Sequence, residues 1–150
     1  MKALIVYDSV YGNTEKIARA ITLGLSEKGD ARLARAGKEN TDIQGIDILV
    51  VGSPTQGGRP TPPVQEFLKA IPSNGLQNVK VASFDTRMRK GGSGAFAKLF
   101  GYATGRIESE LKKRGGTVIA SEGFGVTGRE GPLEEGETDR ARKWGSGLVG

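Results

Sequence analysis

The chain has no cysteine and no histidine among its 150 residues. The first absence excludes disulfides, thiolate nucleophiles, Cys-x-x-Cys redox pairs and cysteine-ligated zinc or iron–sulfur centres. The second removes the commonest metal ligand and the usual general base near neutral pH. Redox or group-transfer chemistry therefore has to come from a bound cofactor, with no resident metal and no catalytic acid–base side chain expected. Long hydrophobic runs are also missing. Ala3–Val6 is too short for the apolar core of a signal peptide and is ended by Asp8, and nothing approaches the ~18 residues of a membrane span. A cytoplasmic location is the expectation.

What is present is uneven. The net charge is +5, and the stretch from Asp85 to Arg114, with eight bases against three acids, accounts for all of it. Basicity confined to one segment argues against a nucleic-acid-coating surface. Glycine is the second anomaly, at 24 residues, about twice the usual share. The intervening segments are periodic and apolar, so disorder does not explain it.

The length predicts one domain over residues 1–150, able to bury roughly 68–70% of its unfolded surface. Lys2–Tyr7 is a continuous apolar run, as expected for a strand buried on both faces. Ile17, Ala18, Ile21 and Leu25 then recur at helical spacing, with Gly29 closing the helix. Ala31–Ala36 is a weak strand and Ile46–Val51 a strong one, ending at Gly52-Ser53-Pro54. Pro62 and Pro63 suit a first helical turn, and Val64, Phe67, Leu68 and Ile71 share one face. Val79–Phe84 is a further strand. Phe96, Leu99, Phe100, Ala103, Ile107 and Leu111 predict one long helix ended by Gly115-Gly116. Thr117–Ala120 is a fifth strand, and Leu133–Leu148 a last helix in which Gly145 and Gly147 weaken the final turn. Tyr102 and Trp144 read as packing residues. Strands alternating with helices imply crossovers and a parallel sheet, hence an α/β, doubly wound three-layer sandwich.

Ligands of such sheets bind beyond the carboxyl ends of the strands. That rule selects the loops Asp8–Thr14, Ser53–Thr61 and Asp85–Ala95. The first opens directly into a helix and offers Ser9, Val10, Tyr11, Gly12, Asn13 and Thr14, with no Lys or Arg. It can be a nest of neutral donors for a phosphate, backed by the helix dipole. It can equally be a plain turn with Asn13 or Thr14 as N-cap. It is neither a Walker A loop nor a GxGxxG fingerprint.

Ser9-x-Tyr11-Gly12-Asn13-Thr14 resembles the phosphate loop of the flavodoxin family, with Tyr where short flavodoxins usually carry Thr. The aromatic is similar to flavodoxin-like quinone reductases and to the flavin domains of flavodiiron proteins. Gly52-Ser53-Pro54-Thr55-Gln56-Gly57-Gly58 resembles the second flavin loop, and Phe84-Asp85-Thr86-Arg87-Met88 stands where the third begins. The resemblance covers essentially the whole chain and implies a five-stranded sheet of order 2-1-3-4-5 with FMN at its edge. The cofactor-binding residues it implies are the six of the first loop with Pro54, Thr55, Gln56, Gly57, Gly58, Asp85, Thr86, Arg87 and Met88. Small residues at Gly57, Gly58, Gly91, Gly92 and Gly94 suit close approach to a flat ring.

One departure stands out. Flavodoxins usually sandwich the ring between aromatics in the second and third loops, and those loops have none here. Met88 is the large apolar candidate, and each lost stack forfeits about 0.5–1.5 kcal/mol. The leading expectation is an FMN electron carrier serving redox partner proteins. The alternatives are an FMN-dependent NAD(P)H:quinone reductase, suggested by Tyr11, and a module that has lost tight flavin binding. Flavodoxins are usually acidic, whereas Arg59, Arg87, Arg89 and Lys90 fall in these loops. Three such charges about 10 Å from the ring would favour the reduced anion by ~1.2 kcal/mol, about 50 mV on a one-electron couple. The same charges predict an acidic docking face on the partner.

Overall fold

Lys2–Tyr7 forms β1, and its continuous apolarity follows from having both faces covered. The structure, a computed structural model, describes residues 1–88 and 101–150. Along the chain β1 is followed by α1 (Asn13–Ser26), β2 (Asp30–Arg35), β3 (Ile48–Pro54) and α2 (Pro62–Ala70). β4 (Lys80–Met88), α3 (Ala103–Lys113), β5 (Thr117–Val126) and α4 (Glu137–Gly147) complete the described elements. The five strands pair in parallel in the order β2-β1-β3-β4-β5. This is the expected doubly wound order, with the switch point between β1 and β3.

Side-chain alternation divides the core into two layers. Leu4, Val6, Leu49 and Val51 face α2 and α3 and pack with Val64, Leu68, Ile107 and Leu111. Ala3, Ile5, Tyr7, Ile48 and Val50 face α1 and α4 and pack with Ile17, Ile21, Phe84 and Phe124. Full burial of each such Leu, Ile or Phe contributes roughly 1.5–3 kcal/mol. Trp144 packs edge-on against Phe124, ring centres 6.0 Å apart, as a packing residue should.

Several boundaries differ from the sequence expectation. β4 continues past Phe84 through Met88, and β5 past Ala120 through Val126, because Asp85–Met88 pair with Gly123–Val126. Gly123 and Gly125 break the apolar pattern there without breaking the ladder. A Cβ on Gly123 would meet the Arg87 guanidinium at 2.3 Å, so the arginine side chain lies over that glycine. β3 likewise includes Gly52, Ser53 and Pro54. The helix expected from Phe96 does not run unbroken to Leu111: Gly101 has φ 74° and Tyr102 is extended, so α3 begins at Ala103. Phe96, Leu99 and Phe100 lie outside the described residues.

α4 begins at Glu137 rather than Leu133, because Gly136 caps it with φ 83° and Leu133 bridges back to Val126. Gly145 does not weaken this helix. It is where α1 and α4 touch: a Cβ on Gly145 would meet the Ile21 carbonyl oxygen at 2.5 Å, and one on Gly24 would meet that of Arg142 at 2.1 Å.

Candidate functional site

The turn from β1 into α1 places its polar groups at the carboxyl edge of the sheet. Gly12, not Asn13 or Thr14, is the N-cap, with φ 93° and no side-chain cap. Ser9 stands below the turn, its Oγ accepting hydrogen bonds from the N–H groups of Gly12 (3.1 Å) and Glu15 (3.3 Å). The side chains of the other two polar residues are turned to other tasks. Thr14 Oγ1 shares a 2.7 Å hydrogen bond with Thr86 Oγ1, fixing α1 to β4. Asn13 Nδ2 donates to the Glu130 carbonyl at 3.1 Å, tying the turn to the loop after β5. The backbone N–H groups of Asn13 and Thr14, both buried residues, find no acceptor among the described residues. A buried N–H without an acceptor is costly, and a helix start with two of them is built for an anion. Asp8 brings no opposing net charge, since Arg35 Nη2 lies 3.3 Å from its carboxylate.

The second loop is a tight turn. Gln56 and Arg59 exchange backbone hydrogen bonds of 2.9 and 3.0 Å, and Gly57 and Gly58 between them have φ 58° and 79°. Two successive positive φ values are the signature of a two-residue hairpin turn, which explains the Gly-Gly pair. Thr55 anchors the turn from below: its hydroxyl donates to Asp85 Oδ2 (3.0 Å) and accepts from the Ala103 N–H (3.0 Å).

Asp85 is the correction to the third loop. It lies inside β4, fully buried, with a carboxylate that accepts two hydrogen bonds from Arg87 (2.7 and 2.9 Å) and one from the Thr104 N–H (3.3 Å). Burial raises its pKa above the ordinary 3.8 in spite of these partners. Arg87 is in turn stacked on Tyr102, its guanidinium carbon 3.5 Å from the ring centre. Its charge is therefore spent on Asp85 and is not a free cation at a rim.

These loops enclose an open cleft of about 720 Å³, within the usual range for a small-molecule site. Val10, Tyr11, Asn13 and Thr14 line it from the first loop, and Pro54, Thr55, Gln56 and Gly57 from the second. Thr86, Arg87 and Met88 line it from β4. Four of the expected residues stand behind this lining: Ser9, Gly12, Gly58 and Asp85 support it. Arg59 lines a different groove, between α2 and α3. Arg89, Lys90, Gly91, Gly92 and Gly94 lie outside the described residues. Two lining residues, Val126 and Arg129, were not anticipated. β5 also ends at the carboxyl edge, so the rule that selected the other loops should have selected Thr127–Gly131 as well.

The donor set fits FMN. Unpaired helix-start amides and the exposed Arg129 suit a phosphate, and Val10, Tyr11, Pro54, Met88 and Val126 offer apolar surface to a flat ring. The aromatic missing from the second and third loops is supplied from the first, where Tyr11 is 47% exposed.

Comparison with known proteins agrees. A putative diflavin flavoprotein of Synechocystis sp. is 31% identical over 121 residues, covering 77% of this chain and 19% of that protein. One from Nostoc sp. is 36% identical over 80 residues, covering 49% of this chain and 14% of that protein. The chain spans less than a fifth of the length of the curated relatives it matches. Oxidised flavodoxin 1 from Bacillus cereus superposes with a TM-score of 0.80 at 21% identity, over 99% of this chain and 97% of that one. Rubredoxin oxygen:oxidoreductase from Desulfovibrio gigas gives 0.75 at 22%, over 98% and 35%. Those two likenesses establish the fold. With residues 5–144 matched by the flavodoxin family's own profile, the chain belongs to the flavodoxin family, and FMN is the cofactor that this membership implies.

Proposed function

We propose that this protein is an FMN-binding electron carrier, with FMN seated in the cleft between the β1–α1 turn, the Gln56–Arg59 turn and the end of β4. The observation that carries the reading is the pair of unpaired N–H groups at Asn13 and Thr14 beside a cleft with apolar walls. FMN supplies the electron storage, and the chain binds, orients and shields it. Asn13 and Thr14 amides with Arg129 hold the phosphate. Tyr11, Pro54, Met88 and Val126 exclude water from the ring. No side chain in the cleft is needed as an acid or base, in keeping with the absence of histidine. Redox partner proteins exchange electrons with it at the exposed cleft mouth.

Purified protein incubated with excess FMN and desalted should retain flavin absorbance near one equivalent. A desalted protein with no flavin absorbance ends this reading. The exposed Tyr11 at an open cleft favours a second one, NAD(P)H:quinone reduction. Steady NAD(P)H oxidation in the presence of a quinone by the FMN-loaded protein would replace the carrier with the enzyme.

A further inference from the structure

A second concavity of about 290 Å³ lies between α2 and α3, outside the cofactor cleft. Its walls follow helical spacing: Gln65, Leu68 and Lys69 come from one face of α2, and Arg106, Glu110 and Lys113 from one face of α3. Arg59 closes one end from the Gln56–Arg59 turn. Four cations thus border one groove against a single acid. Glu110 is itself engaged by Lys113, at 3.6 Å, and by Arg114. Arg59, Lys69 and Arg106 are exposed and make no ion pair among the described residues. Three unpaired cations around one concavity repel one another, and nothing in the fold requires them there.

Resting on the electron-carrier reading, we propose that this groove docks an acidic segment of the partner protein. Two features select a carboxylate-bearing segment over a nucleic acid. Among the described residues the groove offers no aromatic face for base stacking. Its floor is apolar at Leu68 and Pro60, suiting the aliphatic stems of a peptide. Position gives the dock its meaning. Gln56 and Gly57 of the tight turn line the cofactor cleft while Arg59 of the same turn lines this groove. The start of α3 is bonded to Thr55 just before that turn. A partner held along α2 and α3 therefore abuts the wall of the cofactor site, and its cationic attraction speeds encounter.

The test uses fluorescein-labelled octaglutamate, followed by anisotropy at low ionic strength on FMN-loaded protein. The triple variant R59E/K69E/R106E should bind it about tenfold or more weakly, as the loss of three rim charge contacts predicts. A control triple with the same charge change on other faces, K28E/K38E/K80E, should bind it nearly as well as the wild type. Equal weakening in both triples overturns the dock, because attraction is then only to net charge. Displacement of the peptide by oligo-dT at a tenfold lower concentration overturns the choice of an acidic protein. Flavin absorbance is read in the same samples. Protein that keeps no FMN overturns the carrier reading, while the peptide comparison still decides whether the groove binds acidic chains.

Discussion

Arg87 lies with its guanidinium carbon 3.5 Å above the ring centre of Tyr102 while its nitrogens grip the buried carboxylate of Asp85 at 2.7 and 2.9 Å. One side chain thereby joins β4, the start of α3 and the wall of the cofactor cleft. Thr55 and Thr104 complete the set around the same carboxylate, so the second loop, the end of β4 and the start of α3 are tied to one buried group.

Removing Asp85 tests that unit most directly. Asp85→Ala leaves a partly buried arginine without its counter-charge, a loss that typically costs 3–5 kcal/mol. Urea unfolding should show a drop of that size, and Tyr102→Ala a smaller one, about 0.5–2 kcal/mol. Equal, small effects from both would mean that Asp85 is not the centre of the network.

The raised pKa of Asp85 sets a pH dependence. The folded protein holds this proton to a higher pH than the unfolded chain, whose carboxyl titrates near 3.8. In the window just above that value the folded state binds more protons, so stability falls as pH rises through it and levels off above the folded pKa. Asp85→Asn removes the titrating group. The stability difference between wild type and Asp85→Asn should therefore fall with rising pH across that window. A difference that is flat there, or that rises, contradicts the assignment.

Glycine contacts give opposite predictions at two helical sites. Ala at Gly145 would press its Cβ to 2.5 Å from the Ile21 carbonyl oxygen, a backbone atom that cannot swing aside. Overpacking of this kind costs typically 1–3 kcal/mol, exceeding at the upper end the ~1 kcal/mol gained in helix propensity. At Gly105, in α3, a Cβ meets nothing within 4 Å among the described residues. Gly105→Ala should stabilise by about 0.5–1 kcal/mol while Gly145→Ala destabilises, both read as shifts in the urea midpoint.

This contrast also shows what the sequence makes legible. Apolar periodicity and the βα alternation lead directly to β1, β3, the face of α2 and a doubly wound parallel sheet, while the strand order comes from the resemblance to flavodoxins. The residue types of the β1–α1 turn leave an anion site and a plain turn equally open, and the resemblance favours the phosphate loop. What periodicity cannot express is a contact between distant segments. Gly145 looks like a poor helix residue until Ile21 is seen against it. Asp85 looks like the first residue of a loop until Arg87, Thr55 and Thr104 are seen around it. Asn13 looks like a cap until Glu130 takes its side chain. Gly145 and Asn13 have partners more than a hundred residues away, and Asp85 draws Thr55 and Thr104 to a carboxylate that Arg87 already grips from two residues along its own strand.

The Thr14–Thr86 hydrogen bond is one such contact, and it bears on the cofactor. Both hydroxyls are buried, so Thr14→Val leaves Thr86 unpaired, costing about 1–3 kcal/mol. Since this bond also positions the helix start whose amides face the cleft, FMN affinity should fall with stability. Thr14→Ser, which keeps the hydroxyl, should restore most of both. Isothermal titration with FMN decides it; unchanged affinity in Thr14→Val would separate the bond from the cofactor.

The electrostatic effect on the flavin has to be recast from rim charges to one cation. Arg87 is neutralised by Asp85, and Arg59 lines the other groove. Arg129 is exposed, lines the cleft and has no ion pair among the described residues. One unit charge about 10 Å from the ring in a water-like dielectric favours the reduced anion by ~0.4 kcal/mol, about 20 mV on a one-electron couple. Arg129→Gln should therefore lower the potential by about that much with little change in stability. Arg87→Gln should leave the potential nearly unchanged and lower the stability. Asp85, left without its partner in a buried site, takes up a proton rather than remain charged, so the net local charge scarcely changes while the fold loses the pair. Potentiometric titration of the two FMN-loaded variants beside the wild type separates the roles. A larger shift in Arg87→Gln than in Arg129→Gln would return the electrostatic control to β4.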